Sequence, residues 1–220
     1  DDNTRVVRLC SCQGLAQAAE NKTKDVNVSE KENADETTAE KADGSSEEQE
    51  GSDTPELKGR VSDYVSDRKF GDFPLSPEVQ QGLADKGYVM STAVQAAAIE
   101  PALAGKNLVV RSKTGTGKTA AFGIPIVELV PNAAGKTSAI VLAPTRELAR
   151  QVAEELTEIG QHKEIRVAVI YGGVGFGPQE DALKAGAEIV VGTPGRILDH
   201  LRRGNLDLSE CRMTCLAENG

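Results

Sequence analysis

From Val61 onward the chain alternates short apolar runs with longer stretches in which apolar residues recur every three or four positions. The short runs, Leu108 to Arg111, Ser138 to Leu142, Val167 to Tyr171, Glu188 to Val191 and Met213 to Leu216, are predicted strands. Among the longer stretches, RELARQVAEELTEIG sets Leu148, Val152, Leu156 and Ile159 on one helical face, which should pack on a sheet. Strands and helices taking turns predict an α/β fold, a mostly parallel sheet flanked by helices. Such sheets bind ligands at the carboxyl ends of their strands, so the loops that follow the strands should hold the chemistry.

Before Val61 the pattern disappears. From Glu20 to Glu56 there is almost no large apolar residue, too little to offset the conformational entropy of ordering, and disorder is expected. The first 60 residues hold 15 acidic and 8 basic side chains, so −7 of the chain's net −9 lies there, and the rest is nearly balanced. We therefore assign residues 1–66 to an acidic tail and 67–220 to one domain, incomplete at its C-terminal end. A solvating linker is the plain reading of the tail, and a partner-binding or autoinhibitory segment that mimics nucleic-acid charge is the alternative. With 220 residues, 39% of them hydrophobic, there is room for one domain with a proper core but not comfortably for two. A first residue of Asp1 and an end at a strand-like run suggest a fragment cut at both termini. No apolar stretch approaches the roughly 18 residues of a membrane helix, and Asp1-Asp2 is unlike a signal peptide, so a soluble, cytoplasmic protein without membrane contact is expected. Cys10, Cys12, Cys211 and Cys215 read as reduced thiols, because CxC and CxxxC pairs without a nearby histidine match a zinc site poorly.

Directly after the run LVVRS comes KTGTGKT, and then the helix-compatible AAFGIPIVELV. This is the strand, loop and helix order of a phosphate cradle. Residues Ser112, Lys113, Thr114, Gly115, Thr116, Gly117, Lys118 and Thr119 are the candidate nucleotide-binding loop. Gly115 and Gly117 let backbone N–H groups turn toward phosphate oxygens, Lys118 supplies a cation, and the Thr119 hydroxyl can hold Mg²⁺. The strict pattern wants glycine at the first place, where this chain has Ser112. A glycine-rich turn beside a surface lysine is the competing explanation, and the flanking strand and helix weigh against it.

Across roughly Phe70 to Leu216 the ordered motifs resemble those of DEAD-box ATP-dependent RNA helicases, in the first, RecA-like, ATP-binding domain of that family. Phe70 and GYVMSTAVQ resemble the Q motif, with Ser91 in place of the usual proline before Thr92. The resemblance implies ATP and Mg²⁺ as cofactors. It gives Gln95 a bidentate contact to adenine that guanine cannot reproduce and Phe70 a stacking role. After successive strands stand APTRELA, YGG and GTPGR, which resemble motif Ia, the GG motif and motif Ib. In the family these hold the RNA sugar-phosphate backbone. The implied RNA contacts are Pro144, Thr145, Arg146, Gly172, Gly173, Thr193, Pro194, Gly195 and Arg196, without sequence preference. Thr145 also suits an ordinary helix cap, and Arg202-Arg203 suits a solvated helix end as well as a phosphate contact.

In register with the family's Asp-Glu-Ala-Asp, this chain reads Ala217-Glu218-Asn219-Gly220. The family's first carboxylate organises Mg²⁺ and its glutamate positions the attacking water. Of that set only Glu218 remains, beside Lys118 and Thr119, as a catalytic candidate. The sequence therefore predicts an RNA helicase by family whose present chain binds ATP and RNA without turnover. One alternative is a non-catalytic RNA- and nucleotide-binding module that competes with a full helicase. Another is a different P-loop activity, such as a DNA helicase or a nucleotide kinase.

Overall fold

A computed structural model describes residues 4–11 and 65–218, with the strands β1 Thr4–Ser11, β2 Val65–Lys69, β3 Met90–Thr92, β4 Leu108–Lys113, β5 Ala139–Leu142, β6 Val167–Ile170, β7 Ile189–Gly192 and β8 Met213–Glu218. The helices are α1 Pro77–Asp85, α2 Ala93–Leu103, α3 Lys118–Leu129, α4 Arg146–Ile159, α5 Gly177–Lys184 and α6 Pro194–Arg202. A short 3-10 turn covers Phe70–Asp72. Among the described residues, six strands form one sheet in the order β4-β1-β8-β5-β7-β6, and β2 pairs with β3 separately. Strands β8, β5, β7 and β6 are mutually parallel, as the sequence pattern predicts. All five predicted strands are present and begin within one residue of their expected starts.

Strands β5 and β7 are apolar throughout because both faces of the sheet are covered. Successive side chains alternate sides. Ala139 and Val141 of β5, with Ile189 and Val191 of β7, join the core under α3 and α4. Ile140 and Val190 point the other way, into a second core with Ala168, Ile170, Ile197 and Leu206. Helix α4 buries Val152, Leu156 and Ile159 from its predicted stripe, together with Ala149 and Ala153. Helix α3 buries nearly its whole length from Lys118 to Val127, which explains an apolar composition on every side. Its contact with α4 is close at Gly123, where an added methyl would lie 3.0 Å from a Leu156 methyl.

At the end of the sheet away from the strand-following loops, the fully buried Glu188 accepts from the backbone N–H groups of Gly135 and Arg166, both at 2.8 Å, and from Arg166 Nη2 at 2.9 Å. The carboxylate is fully partnered and ties together the segments entering β5, β6 and β7.

Strand β1 departs from the sequence reading. Thr4–Ser11, placed by composition in the acidic tail, runs antiparallel between β4 and β8, pairing Val7 with Val110 on one side and Ala217 on the other. The acidic stretch Glu20 to Glu56 lies outside the described residues, and the proposed boundary after residue 66 falls inside β2. Because β1 is paired on both edges, a proline within it removes a ladder hydrogen bond that has no substitute. Val7→Pro should cost about 1–3 kcal/mol of stability by leaving a carbonyl unpaired. Urea unfolding of the two proteins reads this, and identical midpoints would show that β1 is not part of the sheet.

Candidate nucleotide site and nucleic-acid face

The loop between β4 and α3 turns through Gly115 and Gly117, both at φ +81°, a conformation that residues with a Cβ rarely adopt. Gly117 is further constrained, because a methyl there would stand 2.4 Å from Gln95 Nε2. The Lys118 ammonium, almost wholly buried, donates to the carbonyl oxygens of Ser112, at 2.6 Å, and Lys113. Ser112, in the place of a glycine, contacts the Thr116 hydroxyl through Oγ, and Thr116 donates in turn to Lys113 O at 2.9 Å. The loop is thus held in a closed turn by its own side chains.

The Q-motif residues meet this loop. Thr92 and Gln95 form a capping box at the start of α2: Thr92 N–H donates to Gln95 Oε1 at 2.8 Å, and Gln95 N–H donates to Thr92 Oγ1 at 3.3 Å. Thr92 Oγ1 then donates to Thr116 O at 2.9 Å, and Gln95 Nε2 to Gly117 O at 3.2 Å. Gln95, expected to face adenine, and its capping partner Thr92 therefore fix the phosphate loop. Ser91, where the family has proline, is fully buried and donates to Arg68 O at 2.9 Å, with Ser66 Oγ 2.6 Å away. The hydroxyl ties β3 to β2.

Phe70 is in the core at 4% exposure, stacked on Tyr88 with ring centroids 5.6 Å apart. It is Tyr88, not Phe70, that borders the nucleotide cleft. Tyr88 Oη donates to Glu155 Oε1 at 2.8 Å. Burial, with the Glu155 carboxylate, pushes Tyr88 up to about 12, so the hydroxyl keeps its proton.

The cleft, of about 290 Å³, is lined by Thr114, Gly115, Gly117, Lys118 and Thr119 of the loop, by Phe122, Leu148, Val152, Tyr88 and Glu155, and by Ala217. The triphosphate fits this cradle, since the loop offers turned backbone N–H groups and a lysine at a helix N-terminus. Mg²⁺ fits less well. Thr119 offers a hydroxyl, whereas the wall at 217 is a methyl group where hard cations take carboxylate oxygen. Glu218 continues β8, and its side chain lies outside the described residues. Among the described residues no cluster of three His, Cys, Asp or Glu side chains could hold a metal ion.

A second cleft, of about 510 Å³, opens between the start of α4 and the loop after β6, lined by Arg146, Glu147, Arg150, Gln151, Glu154, Tyr171 and Val174. Pro144, Thr145 and Arg146 are exposed above it, and Thr145 Oγ1 caps α4 by accepting from Leu148 N–H at 3.2 Å. Gly173, at φ +85°, lets Arg146 approach, since a methyl there would be 3.1 Å from Arg146 Nη1. Pro194 and Gly195 are exposed at the start of α6, and Thr193 is half-buried as its N-cap. Because β5, β6 and β7 are parallel, the three predicted backbone-binding loops lie at one end of the sheet. The sequence reading did not single out Arg150 or Gln151. Their signal was spacing, because Arg150 lies one helical turn after Arg146.

Arg196, an expected RNA contact, is engaged within the protein. Both terminal nitrogens donate to Val174 O at 2.9 Å, and the guanidinium lies 4.1 Å over the Phe176 ring. Beneath it His200 is fully buried, with Nε2 bonded to Gln179 Oε1 at 3.2 Å and Nδ1 facing no hydrogen-bond partner among the described residues.

A loop of this kind at the amino end of a buried helix, on a parallel sheet clad on both faces, defines a RecA-like P-loop nucleotide-binding domain. Residues 92–218 match the family model of the DEAD/DEAH box helicases, and the chain belongs to that family. It is 48% identical over 149 residues to the DEAD-box ATP-dependent RNA helicase CshA of Bacillus licheniformis, with 68% of this chain and 31% of that protein covered. The CshA of Geobacillus kaustophilus is 47% identical over 149 residues, with 32% of its length covered. The chain thus spans about a third of these relatives. Among solved structures, a DEAD box protein from Methanococcus jannaschii superposes with a TM-score of 0.60 at 42% identity, covering 67% of this chain and 40% of that one.

Burial and the nearby Arg196 and Arg203 hold the His200 imidazole below its usual range, while Glu180 and Asp199 oppose them. The unfolded chain then takes up a proton at about pH 6.5, where the folded chain does not, so this residue's contribution to stability is lost as pH falls through that value. Denaturant unfolding from about pH 7.5 to 5.5 should show a steeper loss for the native chain than for His200→Gln. Parallel profiles would mean that His200 does not stay neutral in the fold.

Proposed function

We propose that this chain is the ATP-binding and RNA-contacting first domain of an ATP-dependent RNA helicase, and that by itself it binds ATP and RNA without turnover. The observation that carries the second half is Ala217 on the cleft wall beside Lys118 and Thr119. Bound Mg²⁺ supplies charge neutralisation at the phosphates. In this chain Lys118 and the loop N–H groups hold the triphosphate, and Thr119 offers one metal ligand. With a methyl at 217 and Glu218 alone in the motif, the attacking water lacks its full positioning set. Adenine selection by Gln95, with Phe70 acting from behind Tyr88, belongs to the same proposal. It requires the buried Gln95 amide to turn partly away from Gly117 O. A cytoplasmic location also belongs here; among the described residues no helix is long and apolar enough to cross a membrane.

Calorimetric titration should show ATP binding that depends little on Mg²⁺ and is lost in Lys118→Ala. Ala217→Asp should make binding strongly Mg²⁺-dependent, shifting affinity by about tenfold or more between metal and chelator. An unchanged metal dependence in that variant would remove Ala217 from the explanation. Multiple-turnover hydrolysis by the native chain would sink the non-catalytic reading.

For RNA, contacts from Arg146 and the exposed loops to phosphate predict affinity that falls with salt, with a slope of roughly 0.7 per neutralised phosphate on single strands. Fluorescence anisotropy of a labelled oligouridine and an oligoadenosine should give similar affinities and slopes. Salt-independent binding would argue against backbone contact.

A further inference from the structure

The loop after β6 is tied to α6 by a compact cluster. Phe176 sits between two guanidiniums, Arg196 at 4.1 Å and Arg203 at 3.6 Å from the ring centroid. Its ring also meets the His200 imidazole, with centroids 5.1 Å apart and planes tilted by 58°. Arg196 donates through both terminal nitrogens to Val174 O, and Gln179 Nε2 donates to Tyr171 O at 3.0 Å. Both carbonyls flank the Gly172-Gly173 pair. Arg196, His200 and Arg203 lie at spacings of four and three, so α6 presents them together on one face. Beneath them the buried Gln179 Oε1 accepts from His200 and contacts Arg196 Nη1 at 3.4 Å.

From this geometry we infer that Phe176 is the positioning residue of the RNA-facing face, and that Arg196 acts on RNA through the loop it holds rather than by touching phosphate. The inference rests on the RNA-binding reading above. A guanidinium used as a phosphate ligand would point its fork at solvent, whereas here the fork closes on a main-chain oxygen and its plane covers an aromatic face. Gly173 has a left-handed backbone, and such a turn with no side chain of its own needs an outside fixture to hold one shape. Phe176, three residues on, is that fixture. The two arginines hold it from α6, the helix whose first residues form the next RNA-facing loop. The two loops are thereby set relative to each other.

The test uses the whole chain, a labelled oligouridine and a salt titration. Phe176→Leu removes no charge, so it should weaken RNA binding by about tenfold while the slope of log affinity against log salt stays that of the native chain. Phe176→Trp, which keeps an aromatic face, should bind nearly as the native protein. Arg196→Lys keeps the charge but loses the planar fork, and should resemble Phe176→Leu in both affinity and slope. The inference is overturned if Phe176→Leu binds normally. It is also overturned if Arg196→Lys binds normally while Arg196→Ala loses about one phosphate's share of the slope. Should the native chain bind no RNA, the functional reading fails, and amide hydrogen exchange of residues 172–177 decides the inference alone. Faster exchange in Phe176→Leu supports it, and unchanged protection rejects it.

Discussion

The phosphate loop and the wall that faces it stand on two strands that do not touch. β4 leads into the loop, β8 carries Ala217, and hydrogen bonding between them passes entirely through β1. A sheet transmits position through its ladders, so the width and shape of the nucleotide cleft depend on an antiparallel strand drawn from far along the chain. The remainder of the parallel sheet is built from crossovers through helices. Within the sheet, the two cleft-bearing strands are linked through the two long-range pairings of β1.

Helix α3 provides the second restraint. Buried on almost every side, it cannot shift without disturbing α2, α4 and the sheet, and the loop at its amino end inherits that rigidity. Thr92 and Gln95 then fasten the loop from the opposite side through Thr116 and Gly117. Gln95, which the family resemblance connects with the base, is therefore also a structural member of the loop, together with Thr92.

Much of this was legible in the sequence because it is local. Five strands and α4 follow from runs and spacing, and the glycines of the phosphate loop stand where positive φ is required. Strand β1 was not legible, because TRVVRLCS lies next to an acidic stretch whose composition dominates any window that includes it, while its partners lie a hundred residues or more away. The burial of Phe70 under Tyr88 was hidden for a related reason, since motif spacing gives a residue's place in order but not which aromatic of a stacked pair faces the cleft. Arg196 looked like a phosphate ligand by its charge. Its attachment to Val174 O and Phe176 depends on a loop that returns to α6 from another strand.

The loop after β6 is held by bonds within the protein, Arg196 donating to Val174 O and Gln179 Nε2 to Tyr171 O. A surface assembled in this way has little freedom left to lose when a ligand arrives. On the proposed RNA-binding reading, encounter needs no slow rearrangement before capture. On the same reading, differences between one strand and another would lie in how long each remains bound, so residence time rather than rate of arrival is the quantity this face would set.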